Sequence, residues 1–204
     1  MKTVQKNKKL RGFTIIEVVL VLAIAGLIFL MVFIALPAMN RGQRNRQRSN
    51  DMNRIAAAAI DYIVSNNKSP FVAESGSELS NQIITFVRSY IDSDCTVSRN
   101  GSTWASFSDC SDKFMDPNGE NYGILVRSFE DVGSGYITKL DNDVYDIDIG
   151  DPFGNHGFNY YIFPVVEGMC STSYGHIEKN PGKKNFAILY TLEGGAVYCI
   201  DSRG

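Results

Sequence analysis

The residues with the clearest chemical potential lie near the amino terminus, where Gly12 is followed by an unbroken apolar run. The run covers residues 13–39, and Glu17 is its only charged residue. About 20 apolar residues are enough to cross the hydrocarbon core of a bilayer. A carboxylate within such a segment costs on the order of a few kcal/mol in hydrocarbon. Glu17 therefore requires a partner that neutralises it.

Four cysteines form a second set of potentially reactive groups: Cys95, Cys110, Cys170 and Cys199. They follow the apolar run, in a part of the chain that we place outside the membrane, where disulfides persist. Four cysteines allow three pairings, and sequence alone does not choose among them. A zinc site is the alternative, but the chain has no Cys-x-x-Cys motif, and only His156 and His176 could assist.

The densest group of carboxylates consists of Asp141, Asp143, Asp146, Asp148 and Asp151. Alternating acids offer oxygen ligands for calcium, but the position of Gly150 does not match an EF-hand loop. The competing interpretation is a solvated edge strand or loop, whose charge discourages pairing with other strands. We expect no cofactor, with calcium at these aspartates as the alternative.

The elements that must position these groups begin with a long helix. Beyond the apolar run, residues 41–64 contain the strong helix formers Ala56–Ala59, and Ile55, Ala59, Ile60 and Ile63 recur at helical spacing. The polar segment 66–70, which ends in Pro70, stops the helix. The sequence thus predicts one helix of about 50 residues with a lipid-soluble first half and an apolar stripe on its second half.

The rest of the chain predicts a short helix followed by a sheet. Residues 77–91 suit an amphipathic helix. Strand-like runs bounded by Gly, Asp and Asn follow at residues 122–129, 136–140, 158–166, 186–192 and 196–200. Glu193, Gly194 and Gly195 predict a hairpin turn between the last two strands. The fold class is therefore α+β, with a long N-terminal helix packed on a C-terminal antiparallel sheet.

The segment Gly12-Phe13-Thr14-Ile15-Ile16-Glu17, after a leader rich in Lys and Arg, resembles the class III signal of type IV prepilins. The resemblance implies that a prepilin peptidase cuts after Gly12 and methylates the new amino group of Phe13. It also implies that Glu17 pairs with the N-terminal amine of a neighbouring subunit during assembly. Phe13 and Glu17 are one helical turn apart, so adjacent subunits could neutralise each other's buried charges. Pro37 is the candidate for the kink common in this family.

The resemblance also implies a domain organisation. Residues 1–12 would be the cleaved leader, 13–39 the transmembrane and filament-core helix, 40–65 its continuation, and 66–204 an extracytoplasmic globular head of the type IV pilin fold. The subunit would wait in the cytoplasmic membrane as a single-pass protein with its N-terminus inside, before it enters an extracellular filament.

We expect Cys95 to pair with Cys110, stapling the loop after the short helix, and Cys170 to pair with Cys199. The second bond would tie the C-terminal hairpin back to the sheet, as pilins commonly tie their C-terminal region. Each bond would contribute about 3 kcal/mol on the loop-entropy estimate.

The net charge of the chain limits the kinds of molecule that it is expected to bind. Loss of the leader leaves 15 basic and 22 acidic residues, a formal charge of about −7. An acidic head argues against nucleic acid as the main partner, because phosphate binding needs a basic face. A basic stripe just beyond the apolar run consists of Arg41, Arg44, Arg46, Arg48 and Arg54. We expect these arginines to pair with acidic surfaces of neighbouring subunits. A solvated helix face is the alternative, and contact with DNA is a minor one.

The sequence has no Gly-x-Ser-x-Gly, P-loop or His-Glu-x-x-His motif, so we expect no enzymatic activity. The expected function is a structural subunit of a type IV pilus or pilus-like filament that serves adhesion, motility or DNA uptake. Its partners would be copies of itself, other pilins, the prepilin peptidase and the pilus assembly machinery. The stretch 151–155 also resembles one in type II secretion pseudopilins, with Phe153 in place of a tryptophan. A pseudopilin is therefore one alternative, and a membrane-anchored binding protein is another.

Overall fold

The structure is a computed structural model that describes residues 12–131, 137–141, 144–147, 160–172 and 176–203. The chain divides into two compact units, Met1–Gln43 and Arg44–Gly204. Helix α1 (Ile15–Asn66) has 52 residues and remains helical through Pro37. The predicted long helix is thus present.

The part of α1 within the first unit is apolar and exposed. Its most apolar 18-residue window has a mean hydropathy of 3.2, and none of that window is buried. By length and composition this segment can cross a membrane. In water such a surface would be strongly unfavourable, so lipid or protein must cover it.

The part of α1 within the second unit buries one face. Met52, Ile55 and Ala59 are fully buried, at spacings of three and four residues. Ile60 and Ile63 pack against the same core, so the predicted apolar stripe is confirmed. The helix ends because Asn67 adopts a left-handed conformation with φ 58°. Its backbone N–H donates to the carbonyl of Ile63 at 2.8 Å, which closes the last turn.

A second helix covers one end of the core. Helix α2 (Gly76–Phe86) begins after Ser75, whose Oγ accepts a 3.3 Å hydrogen bond from the backbone N–H of Glu78. A π-helical turn (Val87–Ile91) extends it, so the helix predicted over residues 77–91 is present with a widened last turn. Its buried apolar residues are Leu79, Ile83, Phe86 and Val87.

The described part of the chain has ten strands in two sheets. The six-stranded sheet has the order β1-β2-β3-β6-β9-β10, and the four-stranded sheet has the order β4-β5-β8-β7. All pairs are antiparallel except β3 and β6, which are parallel. The strands are β1 (Thr96–Asn100), β2 (Trp104–Ser108), β3 (Gly123–Leu125), β4 (Ile137–Asp141), β5 (Val144–Ile147), β6 (Tyr161–Val166), β7 (Gly168–Cys170), β8 (His176–Lys179), β9 (Phe186–Thr191) and β10 (Val197–Asp201).

The five predicted strands correspond to β3, β4, β6, β9 and β10. The predicted turn joins β9 to β10, and Gly194 and Gly195 have φ of 100° and 81° there, a conformation that glycine adopts without strain. The predicted antiparallel sheet is confirmed, with β3 and β6 as the one parallel pair among the described strands. These strands are separated by a long connection, and a long connection permits parallel pairing where a hairpin does not.

The main hydrophobic core includes residues of α1, α2 and the six-stranded sheet. Its aromatic rings contact one another edge to face: Phe71 lies 5.7 Å from Phe86 and 5.4 Å from Phe186 between ring centroids. A smaller cluster includes Tyr145 and Ile177 from the four-stranded sheet and Leu189 from the six-stranded sheet. The core therefore holds the second half of α1 against strands that are distant in sequence.

Candidate functional site

The predicted processing and assembly residues lie at the start of α1. Thr14 directly precedes the first helical residue, and Glu17 is in the first turn. The Thr14 backbone N–H and hydroxyl both donate to Glu17 Oε2, at 2.8 and 2.9 Å. The Glu17 N–H donates in return to Thr14 Oγ1 at 3.4 Å. This reciprocal arrangement is a capping box, in which two residues satisfy backbone donors that the helix leaves unpaired.

The capping box gives Glu17 a role within its own chain. The pattern Thr14-x-x-Glu17 is the sequence signal of a capping box, although Thr14 was not among the predicted site residues. Thr14 is therefore an additional residue of the site, and it holds the carboxylate whenever no stronger donor is present. A cation would be a stronger donor, because charge-assisted hydrogen bonds are roughly twice as strong as neutral ones.

Gly12 and Phe13 are both exposed, with 89% of Phe13 accessible. A Cβ built on Gly12 meets no described atom within 4 Å. The described part of the fold therefore sets no steric requirement for glycine at this position. Any such requirement would come from a protein that acts on the bond between Gly12 and Phe13, and that bond is accessible.

A second group of polar residues, which we call the arginine cluster, lies in the second unit: Arg44, Asn45, Arg48, Asp116, Tyr190 and Glu193. Arg48 is only 2% exposed. It donates from Nε to Asp116 Oδ2 at 2.7 Å and from Nη2 to Asp116 Oδ1 at 2.9 Å, a bidentate pair. Its Nη1 also donates to Glu193 Oε1 at 3.0 Å. The buried guanidinium thus joins α1 to two other segments of the chain.

The remaining members complete these contacts. Arg44 Nη2 donates to Glu193 Oε2 at 2.7 Å, and the Glu193 backbone N–H donates to Asn45 Oδ1 at 2.9 Å. The Tyr190 hydroxyl donates to Asp116 Oδ2 at 2.8 Å. The turn between β9 and β10 is therefore fixed to α1 through both side-chain and backbone groups.

The protonation states follow from these contacts. Hydrogen bonds from Arg44 and Arg48 lower the pKa of Glu193 to about 2, so this residue is a carboxylate at neutral pH. Burial alone would lower the pKa of Arg48, but the hydrogen bonds to Asp116 and its negative charge have the larger effect, and the pKa is raised. Burial raises the pKa of Asp51, against the effect of the 3.0 Å hydrogen bond that it accepts from the Tyr122 hydroxyl. Arg44, Arg48 and Glu193 of the arginine cluster are therefore all charged at neutral pH.

These contacts correct the prediction for the basic stripe. Arg44 and Arg48 pair with carboxylates of their own chain. Arg54 lies 3.5 Å from Asp51, also within the chain. The partners are carboxylates from the distant positions 116 and 193, and no local pattern links those positions to α1. Arg41 and Arg46 are exposed.

Both disulfide bonds have the expected pairing. Cys95 is bonded to Cys110 with an S–S distance of 2.04 Å. Cys170 is bonded to Cys199, which links β7 of the four-stranded sheet to β10 of the six-stranded sheet. A zinc site built on cysteine needs thiolates, and the chain has no free cysteine to supply one.

Several predicted residues lie outside the described part of the chain. They include the leader residues 1–11, the stretch 151–155, His156, and the aspartates at 143, 148 and 151. Asp141 ends β4, and Asp146 is an exposed residue of β5. His176 begins β8. Calcium binding by the aspartates stays a prediction.

Comparison with known proteins identifies the amino-terminal segment. The family described as the prokaryotic N-terminal methylation motif matches residues 7–33. No curated protein and no solved structure matches the chain. The matched residues contain Gly12, Phe13, Thr14 and Glu17 and extend into the apolar part of α1. The amino terminus of this protein is therefore a prokaryotic N-terminal methylation motif, a class III signal typical of type IV pilins and pseudopilins.

Proposed function

We propose that this protein is a structural subunit of a type IV pilus or pilus-like filament. The observation that carries the proposal is the methylation motif at the start of a long, exposed apolar helix. A prepilin peptidase would cut the accessible bond after Gly12 and methylate the amino group of Phe13. Before assembly the subunit would lie in the cytoplasmic membrane, with its N-terminus inside and its acidic head outside. This role is structural and involves no catalysis by the chain.

Assembly would exchange the partner of Glu17. In the single subunit, the Thr14 N–H and hydroxyl hold the carboxylate. Cleavage creates an ammonium group at Phe13, and the ammonium of a neighbouring subunit would replace these neutral donors. Both charges then become buried between helices, where an unpaired charge is far more costly than a pair. The exchange favours one position of each subunit along the filament axis.

Apolar burial alone would not select that position. Moving the exposed side chains of residues 13–39 from lipid to protein changes little apolar free energy, because lipid tails are as apolar as the helices. Close packing of helices provides the general attraction. The pairing of Glu17 with the neighbour's Phe13 amine then provides the register. In the assembled filament, the heads would form the outer surface for adhesion, motility or DNA uptake.

The first experiment shears filaments from the cell surface and measures the N-terminus and intact mass of this chain. We expect a chain that begins at methylated Phe13, with a mass four hydrogens lower than that of the fully reduced form because two disulfides are present. A chain that is found only in membranes and still begins at Met1 would refute the proposal. It would support a membrane-anchored binding protein instead.

A variant separates processing from assembly. Glu17→Gln keeps an oxygen acceptor for Thr14 but removes the charge. We expect this variant to be cleaved after Gly12 and to be absent from sheared filaments. The matched control is Glu74→Gln, the same chemical change at an exposed residue of the head, which should assemble normally. Normal assembly of Glu17→Gln would disprove the pairing mechanism.

A type II secretion pseudopilin is the second candidate, because of the stretch 151–155. Such a protein would have the same processing, but its filament would be short and periplasmic. Filaments that persist on washed cells distinguish a pilus from this alternative.

A further inference from the structure

The two disulfide bonds differ in their access to solvent. Cys95 is 0% exposed and Cys110 is 7% exposed, and both belong to the main hydrophobic core. Cys170 and Cys199 are both partly exposed and lie at the margin of the smaller cluster. A thiolate must reach a sulfur atom to exchange with a disulfide, so access controls the rate of exchange.

Cys170 and Cys199 also line an open groove of about 520 Å³. The other residues of the groove are Asn53, Tyr198, Ile200, Asp201 and Arg203. A groove of this size is in the range of sites that admit small ligands. Arg203 Nη2 is ion-paired with Asp201 Oδ2 at 2.6 Å, so the two charged side chains of the groove compensate each other. The groove therefore offers an attacking thiolate access to the two sulfur atoms.

The position of this bond gives its reduction a structural consequence. Cys170 is in β7, whose neighbour is β8, and Cys199 is in β10, whose neighbour is β9. The bond therefore joins an edge strand of one sheet to an edge strand of the other. A hydrogen bond of 3.0 Å from the Cys170 N–H to Asp201 Oδ2 supports the same junction, but it is not covalent. The backbone also joins the two sheets here, because β6 continues through Glu167 into β7. Reduction would therefore leave β7 and β10 held to each other only by such weaker contacts.

We propose that Cys170–Cys199 is a thiol–disulfide exchange site that takes an external dithiol as its substrate, whereas Cys95–Cys110 is a permanent structural bond. A thiolate of the dithiol attacks one protein sulfur and forms a mixed disulfide. The other protein sulfur leaves as a thiolate and takes up a proton. The second thiol of the dithiol, as its thiolate, then attacks the mixed disulfide and releases the remaining protein thiol. The dithiol is oxidised to a disulfide, and the protein gains two electrons and two protons. This inference does not depend on the proposed function.

The test uses the full chain in detergent with dithiothreitol as the dithiol. Timed samples are alkylated with iodoacetamide and mapped by peptide mass spectrometry. We expect Cys170 and Cys199 to be alkylated about tenfold faster than Cys95 and Cys110, because only the first pair is accessible. The same reaction in denaturant is the control, and there the two pairs should react at similar rates. Equal rates in the folded protein, or faster reaction of Cys95 and Cys110, would overturn the proposal.

A second measurement tests the junction between the sheets. Hydrogen exchange is compared between the oxidised protein and protein reduced only at Cys170 and Cys199. Exchange should rise in β7 and β8 and stay unchanged in β1 and β2, which are held near Cys95–Cys110. If exchange in β7 and β8 does not change, the bond does not control this junction, and the proposed structural role is wrong.

Discussion

The substitution Arg48→Met tests whether the arginine cluster stabilises the unit Arg44–Gly204. Arg48 and Asp116 are each 2% exposed, and two hydrogen bonds join them. Methionine fills much of the volume of the arginine stem but cannot donate a hydrogen bond. Asp116 would keep the Tyr190 hydroxyl and the Asn118 N–H as donors, at 2.8 and 2.9 Å. The carboxylate would remain buried without its counter-charge.

The expected loss follows from this burial. Removal of one partner from a buried ion pair costs about 3–5 kcal/mol, because the other charge stays desolvated. For a domain of the size of the unit Arg44–Gly204, each kcal/mol corresponds to a fall of about 2–4 °C in the unfolding temperature. Arg48→Met should therefore lower this temperature by about 6–20 °C.

The assay is thermal unfolding of the full chain in detergent, followed by near-ultraviolet circular dichroism. Arg46→Met is the matched control, because Arg46 is an exposed arginine of the same helix, and a surface substitution changes stability by about 0.5 kcal/mol or less. The double variant Arg48→Met with Asp116→Leu should recover part of the loss, because no buried charge is left unpaired. If Arg48→Met and its control unfold at the same temperature, the pair does not stabilise the domain.

Three further predictions concern other parts of the chain. Glu193 has a lowered pKa, so it contributes stability above its ordinary pKa of 4.5 that is lost as the pH falls toward about 2. Glu193→Gln should therefore lose less stability than the wild type between pH 5 and pH 3, and an equal loss in both, measured by thermal unfolding, would contradict this assignment. Ile55→Ala should cost about 2–5 kcal/mol, because Ile55 is fully buried; Val64→Ala, at a residue 79% exposed, is its control in the same assay. Gly12→Leu should block cleavage, which intact mass measures, and a cleaved variant would refute this expectation. The same variant should leave the unfolding temperature unchanged, because a Cβ at Gly12 meets no described atom.

The elements that the sequence predicts correctly are those with a strong local pattern. The long helix has both an apolar run and a stripe at helical spacing, and β9 and β10 are apolar runs joined by a glycine turn. The strands β1, β2, β5, β7 and β8 were missed. They are short, and several are polar: β1 is Thr-Val-Ser-Arg-Asn, with four of its five residues exposed. Such strands form because a neighbouring strand supplies hydrogen bonds, and the pattern within a short segment gives no information about that neighbour.

The same distinction applies to the two groups of functional residues. Gly12, Thr14 and Glu17 lie within six residues of one another, and in the proposed function the requirements on Gly12 and Glu17 come from a peptidase and from a neighbouring subunit. Interactions of that kind constrain a short contiguous segment, so the segment can be recognised from the sequence alone. Arg44 and Glu193 are 149 residues apart, and their requirement comes from the fold itself. A basic stripe on a helix has the same appearance whether its partners lie in another subunit or in a distant turn of the same chain. Only the tertiary structure separates these two cases: it places the partners of Arg44 and Arg48 within the same chain, while Arg46 is exposed on the helix surface.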